Sequence, residues 1–300
     1  MLLSKSTPYS FIKRHLSVWL FQILTRKSFK VFLRCGDEIS LGPQIDGIHE
    51  APLTNFINKF ADEGFSDFMI DIGANIGLTS CQNGNKFKKI YCFEPNPMCV
   101  NILKTNLEIS LSESVSEVFD FALGEKDGDC DLFVPRLNWG GAFIRHGNDY
   151  PEEVLSKKDG YESINEENYI VNKVKVRNSV EVFKNLFASI LADNLNKGII
   201  KIDVEGYERK VLLSISKILP PDISVIVVFE NWDPMFNLNE IKDSFKNRKV
   251  NFLKFERSIK GTSKSKLRKL LEYIFFGEII SLTDIKGSEV IVGEIVIRLE

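Results

Sequence analysis

Histidine is scarce in this chain, cysteine follows no pattern, and no apolar run is long. The three histidines, His15, His49 and His146, are too scattered for a His-based metal site. The five cysteines, Cys35, Cys81, Cys92, Cys99 and Cys130, contain no C-x-x-C, and Cys92 sits inside an apolar strand pattern. Disulfide and zinc frameworks need regular spacing and partners, so reduced thiols in a reducing, cytoplasmic compartment are expected. No apolar run approaches the roughly 20 residues that span a bilayer. Lys and Arg (39) do not outnumber Asp and Glu (41), and the net charge of −2 gives no reason to expect nucleic acid as a partner. Internal repeats and low-complexity tracts are absent.

What is present is alternation. From Asp67 the apolar runs "DFMIDIG", "KIYCFEP", "VFDFALG", "GIIKIDVE", "DISVIVVFEN", "NFLKFER" and "EVIVGEIVIRL" are short and rich in β-branched and aromatic residues. Most are continuously apolar, as parallel strands covered on both faces are. Helical segments such as "NPMCVNILKTNLEIS" and "YERKVLLSISKIL" separate them. The expected fold is α/β, a doubly wound, mostly parallel seven-stranded sheet of the Rossmann-like kind over 66–300. An N-terminal helical extension over 1–65 is expected to pack on this core. Residues 129 to 178 break the alternation and read as a hairpin and loop inserted at the rim of the sheet, as a lid or binding loop. "SKSKLRKLLEYIFFG" (263–277) reads as a basic amphipathic helix.

Near the N-terminus, Phe11, Ile12, Leu16, Trp19, Leu20 and Ile23 share one face of a helix, with Lys13, Arg14, Arg26, Lys27 and Lys30 around the remainder. Docking of this helix on its own domain is the plainer expectation. Peripheral contact of residues 11–30 with a membrane or a partner is the alternative.

The chemistry gathers at strand ends. In an open α/β sheet, ligands bind where strands end and their order reverses. The first run ends in "DIGANIG": Asp71, then Gly73, Ala74, Asn75 and Gly77. This is not the G-x-G-x-x-G of a dinucleotide site, because an acidic residue begins the loop. Asp71 suits a ligand carrying positive charge, and Asn75 offers both a donor and an acceptor. The next strand ends at Glu94, where an acidic residue hydrogen-bonds ribose hydroxyls in nucleoside-binding folds. Together they describe S-adenosylmethionine. In "IIKIDVEGYE" the fourth apolar run stops at Asp203 and Glu205, facing the same cleft.

The pieces "DIGANIG", "FEPNP", "FALGEKDG" and "IKIDVEGYE", in this order, resemble the FkbM family of methyltransferases. The lead-in "DEISLGPQIDGIHEAPLTNFI" is also similar. The resemblance implies a class I methyltransferase fold, S-adenosylmethionine as cofactor, and O-methylation of a sugar, glycan or other hydroxylated small molecule. It puts Asp71, Gly73, Ala74, Asn75, Gly77, Glu94, Asn96, Ala122 and Leu123 at cofactor positions, with Asp203 between cofactor and acceptor. A non-glycan or nitrogen acceptor is the alternative, and a non-catalytic nucleoside-binding protein a more distant one.

A sugar hydroxyl is a poor nucleophile, so a general base is expected. Asp203 is the first candidate and His146, in "GGAFIRHG", the second. A third arrangement has Asp203, Glu230 and Asn231 holding a hard divalent cation. The metal-free base is the preferred expectation, with Glu230, counted with Asp203 and His146 among the catalytic candidates, holding either an acceptor hydroxyl or the cofactor-side loop.

Overall fold

The computed structural model describes residues 8–24, 29–111, 115–233, 235–259, 278–285 and 292–300. Helix α1 (Pro8–Leu24) precedes a short α2 (Leu41–Ile45) and α3 (Ala51–Asp62). The sheet then begins with β1 (Phe68–Ile72), α4 (Leu78–Asn83), β2 (Lys89–Phe93), α5 (Pro97–Ser110) and β3 (Val115–Phe119). An inserted unit follows: β4 (Ala122–Gly124), β5 (Gly128–Pro135), β6 (Phe143–Ile144), α6 (Glu152–Lys158) and β7 (Tyr169–Asn178). The main sheet resumes with α7 (Ser179–Ala192), β8 (Lys197–Ile202), α8 (Glu208–Ile218), β9 (Ser224–Asn231) and α9 (Leu238–Ser244). It closes with β10 (Val250–Ile259), β11 (Glu278–Asp284) and β12 (Gly293–Leu299).

The main sheet has the order β11-β10-β12-β9-β8-β1-β2-β3. Strands β3, β2, β1, β8 and β9 pair in parallel, and β12 enters antiparallel between β9 and β10. This is the class I methyltransferase order. The strand count is corrected from seven to eight, because β11 adds an antiparallel edge beside β10.

Continuous apolar strands are legible here because both faces are covered. Phe68, Ile70 and Ile72 of β1 turn toward the layer of α7 and α8, where Phe183, Phe187, Leu212 and Ile215 are buried. Met69 turns the other way, toward Phe56, Ile57 and Phe60 of α3 and Leu103 of α5. Burial at this density supplies the main driving force, about 25 cal/mol per Å² of apolar surface.

The insertion is more than a hairpin. "VFDFALG" divides at Asp120: Val115–Phe119 stays in the main sheet, and Ala122–Gly124 starts a second sheet of order β4-β7-β5-β6. That sheet has its own core of Leu132, Val134 and Val174, and a second around Phe143, Tyr150, Leu155 and Tyr169. Hydrogen bonds stitch it to the carboxyl ends of the main strands. Asn148 Nδ2 donates to the Glu205 carbonyl at 2.7 Å, and Tyr150 Oη accepts from the Trp232 N–H at 3.1 Å.

The N-terminal extension behaves in two ways. Residues from Phe29 onward pack on the domain, with Phe29, Val31 and Leu33 against Ile76, Leu78 and Cys99. The expectation that the preceding helix docks likewise is corrected, because every described side chain of α1 is exposed. The basic helix read at 263–277 lies outside the described residues. None of the five cysteines forms a disulfide. Among the described residues, no helix is long and apolar enough to cross a membrane.

Candidate functional site

The carboxyl ends of β1, β2, β8 and β9 open into one cleft of about 250 Å³. Its floor is the β1–α4 loop with Gly73, Ala74 and Asn75, and one side is Glu94 and Pro95. The inserted sheet and its loops supply Ala122, Leu123, Leu132, Trp139 and Lys158, and the end of β8 supplies Asp203 and Glu205.

The loop geometry explains its glycines. Gly73 has φ +79°, and a Cβ there would overlap the Asp203 carbonyl, so no other residue fits between β1 and β8. Among the described residues four non-glycines have positive φ, and three of them, Glu50, Asn75 and Glu205, line this cleft. Strained backbone clusters where function needs it.

Glu94 is buried, and both of its oxygens are aligned by backbone. Oε2 accepts from Asn75 N–H at 2.8 Å and Oε1 from Asn96 N–H at 2.7 Å. Each oxygen keeps a further lone pair, so a neighbouring pair of hydroxyls can donate to it. Burial raises its pKa from 4.5 to about 7, with those two N–H groups opposing the rise. Asn75 Oδ1 accepts from Ile76 N–H at 2.7 Å, and its Nδ2 lies across from Gly140 in "NWGGAF".

Asp71 does something other than expected. It is wholly buried, does not line the cleft, and accepts from Ser80 Oγ at 2.7 Å. Its register partner on β8 is Lys201, whose Nζ lies 3.2 Å from Asp71 and 3.2 Å from Asp203, and which donates to the Gly73 carbonyl at 3.0 Å. The positive charge that Asp71 meets is the protein's own. Burial alone would lower the Lys201 pKa, but Asp71 and Asp203 raise it, so the ammonium is kept charged.

The other expected residues divide clearly. Gly73, Ala74, Asn75, Glu94, Ala122, Leu123, Asp203 and Glu230 meet in the cleft. Gly77 and Asn96 stand behind its wall. Gly77 has φ +86° and backs onto Leu103, while Asn96 caps α5 by accepting from Met98 N–H at 3.1 Å. His146 is exposed outside the cleft, and its carbonyl accepts from the Tyr207 hydroxyl. That position argues against His146 as the base. Asn231 is spent on a turn, accepting from Asp233 N–H at 3.2 Å, which removes it from the cation arrangement. No cluster of three or more His, Cys, Asp or Glu suited to a metal occurs among the described residues.

Several cleft residues carried no readable signal. Lys158 at the end of α6 reaches Glu205 at 2.6 Å and Glu230 at 3.4 Å. Burial alone would lower its pKa, but these carboxylates raise it, while burial raises Glu205 against the pull of Lys158. His49 and Glu50 reach the cleft from the N-terminal lead-in. Gln82 fixes the His49 backbone on both sides, accepting from its N–H at 2.8 Å and donating to its carbonyl at 2.9 Å. Burial, then Lys201, lowers the His49 pKa from 6.5 to about 4, so the imidazole is neutral at pH 7. Lys201 alone left a trace, as a lysine inside an otherwise apolar strand.

Residues 71–255 match the family model described as the methyltransferase FkbM domain. This chain belongs to the FkbM methyltransferase family. It is also 26% identical over 194 residues to the methyltransferase sdnD of Sordaria araneosa, covering 62% of this chain and 74% of that one. Among solved structures, an O-methyltransferase from Bacillus cereus in complex with SAH aligns over 100% of this chain and 94% of that one, with 10% identity and a TM-score of 0.40. A SAM-dependent methyltransferase from Agrobacterium tumefaciens aligns over 91% of this chain and 70% of that one, with 7% identity and a TM-score of 0.42. The FkbM domain thus spans β1 to β10 and contains the glycine loop, Glu94, the whole inserted sheet and Asp203. The cleft residues His49 and Glu50 lie upstream of it.

Proposed function

We propose that this chain is an S-adenosylmethionine-dependent O-methyltransferase acting on a hydroxyl of a sugar, glycan or glycolipid precursor. The observation that carries the cofactor reading is Glu94: a buried carboxylate, aligned by two backbone N–H groups, at the mouth of a glycine loop. Its free lone pairs suit a ribose diol. Pro95, Phe121, Ala122 and Leu123 form an apolar wall suited to a purine. Five carboxylates (Glu50, Glu94, Asp203, Glu205, Glu230) and two lysines line the cleft. Burial raises Glu50, Glu94 and Glu205, so the lining offers many acid oxygens to hydroxyl and ammonium donors and no net positive field for the phosphates of a dinucleotide.

When bound, S-adenosylmethionine supplies a methyl group already activated by sulfonium charge. The chain's own task is then alignment of the acceptor oxygen and removal of its proton. Asp203 is the preferred base. Its side chain is 41% exposed to the cleft, and Lys201 at 3.2 Å orients it. The neutral His49 imidazole stands on the same cleft as a second proton acceptor. Glu205, Lys158 and Glu230 set acceptors and a donor side by side, with Trp139 and Tyr207 as aromatic surfaces nearby. Such a wall is suited to sugar hydroxyls and ring faces.

Calorimetric titration with S-adenosylhomocysteine tests the cofactor. Binding of NAD in its place would reject the reading. Labelled S-adenosylmethionine incubated with an extract of the source cells tests the acceptor: label found only in protein or nucleic acid would exclude the glycan assignment.

A further inference from the structure

The N-terminal helix presents a surface that neither the cleft nor the core explains. In α1, Tyr9, Ile12, Leu16, Trp19, Leu20 and Ile23 recur at three- and four-residue spacing and so form one stripe about 100° wide. All six are exposed, from 43% at Leu20 to 74% at Tyr9. A stripe of six large apolar side chains on one helix is far from the scattered exposure of an ordinary surface.

The charge around the stripe decides what covers it. The first 36 residues carry seven lysines and arginines and no acidic residue, against −2 for the whole chain, which leaves −9 for the remainder. Lys13 and Arg14 lie on α1 itself and are exposed. A second copy of the helix would bring like charges together. An anionic lipid surface attracts this end and repels the rest of the molecule, which also orients it.

We infer that α1 lies in the plane of an anionic membrane surface, with its apolar stripe among the acyl chains and Lys13 and Arg14 at the headgroups. The chain is back on the domain by Phe29, and Arg34 then stacks on Trp139 of the cleft at 4.2 Å. Few residues therefore separate the lipid surface from the cleft wall. This holds whichever acceptor is methylated.

Co-sedimentation of the full chain with vesicles tests it, comparing phosphatidylcholine alone with mixtures containing about one third phosphatidylglycerol. The expected result is binding to the anionic vesicles, weakened at least about tenfold for Leu16→Ser/Trp19→Ser and weakened by added salt. The variant should keep the wild-type unfolding midpoint, because both side chains are exposed. No binding to anionic vesicles would overturn the inference. So would a wild-type dimer that the double substitution dissolves, since the stripe would then belong to a second copy.

Discussion

Replacing Lys201 with Met removes the ammonium that stands between Asp71 and Asp203 while keeping an apolar stem of similar length. Two unit charges at the observed 3.2 Å attract by about 5 kcal/mol at an effective dielectric constant of about 20. Asp71 has no exposed surface, so water cannot take over; only the Ser80 hydroxyl at 2.7 Å remains. Stranding one member of a buried pair costs about 3–5 kcal/mol. Lys201→Met should lose that much stability in urea denaturation followed by far-UV circular dichroism. Asp71→Asn should lose a smaller amount, because Lys201 keeps Asp203. Removing both charges in Asp71→Asn/Lys201→Met leaves no fully buried charge unpaired, and should recover about 2–3 kcal/mol of the summed single losses. A loss below about 1 kcal/mol for Lys201→Met, as at an exposed pair, would refute the reasoning. Strict additivity of the two substitutions would do the same.

Glu94→Ala should weaken S-adenosylhomocysteine binding by about 1.5–3 kcal/mol, the worth of hydrogen bonds to a charged group, as read by calorimetry. Unchanged affinity would remove Glu94 from the ribose site. Asp203→Asn should depress turnover by about 10²–10⁴-fold with cofactor affinity nearly intact, and chelator should have no effect. Loss of activity on chelation, restored by magnesium, would replace the base with a cation. For pH, burial raises Glu94 and Glu208 from 4.5 to about 7, so their contribution is full below pH 4.5 and is lost as the pH rises through 7. His49 runs the other way: lowered from 6.5 to about 4, it contributes above 6.5 and loses that contribution as the pH falls through 4. Above pH 6.5 the His49 contribution is constant, so stability should decline as the pH rises from 6.5 to about 7, and a rise over that window in urea titrations would contradict these assignments.

The order of apolar runs by itself determined the doubly wound sheet, because a strand buried on both faces needs continuous apolar residues and leaves no other pattern. It also located the cleft, since Gly73, Asn75, Glu94 and Asp203 sit where strands stop, and a strand end in such a sheet has a known place. What a strand end touches was decided only in three dimensions. Asp71 and Lys201 are register partners on neighbouring parallel strands 130 residues apart in sequence, and nothing local to either announces the pair. The same holds for Lys158, which comes 47 residues before Glu205 and 72 before Glu230 and reaches them because the inserted sheet folds over the cleft. His146 and Asn231 failed for the converse reason. Their residue types suited the chemistry, but the backbone turned one outward and bound the other into a turn. Periodicity reports which face a residue occupies; the partner across that face is fixed by chain packing, which alone brought His49 and Lys158 to the cleft of Asp203.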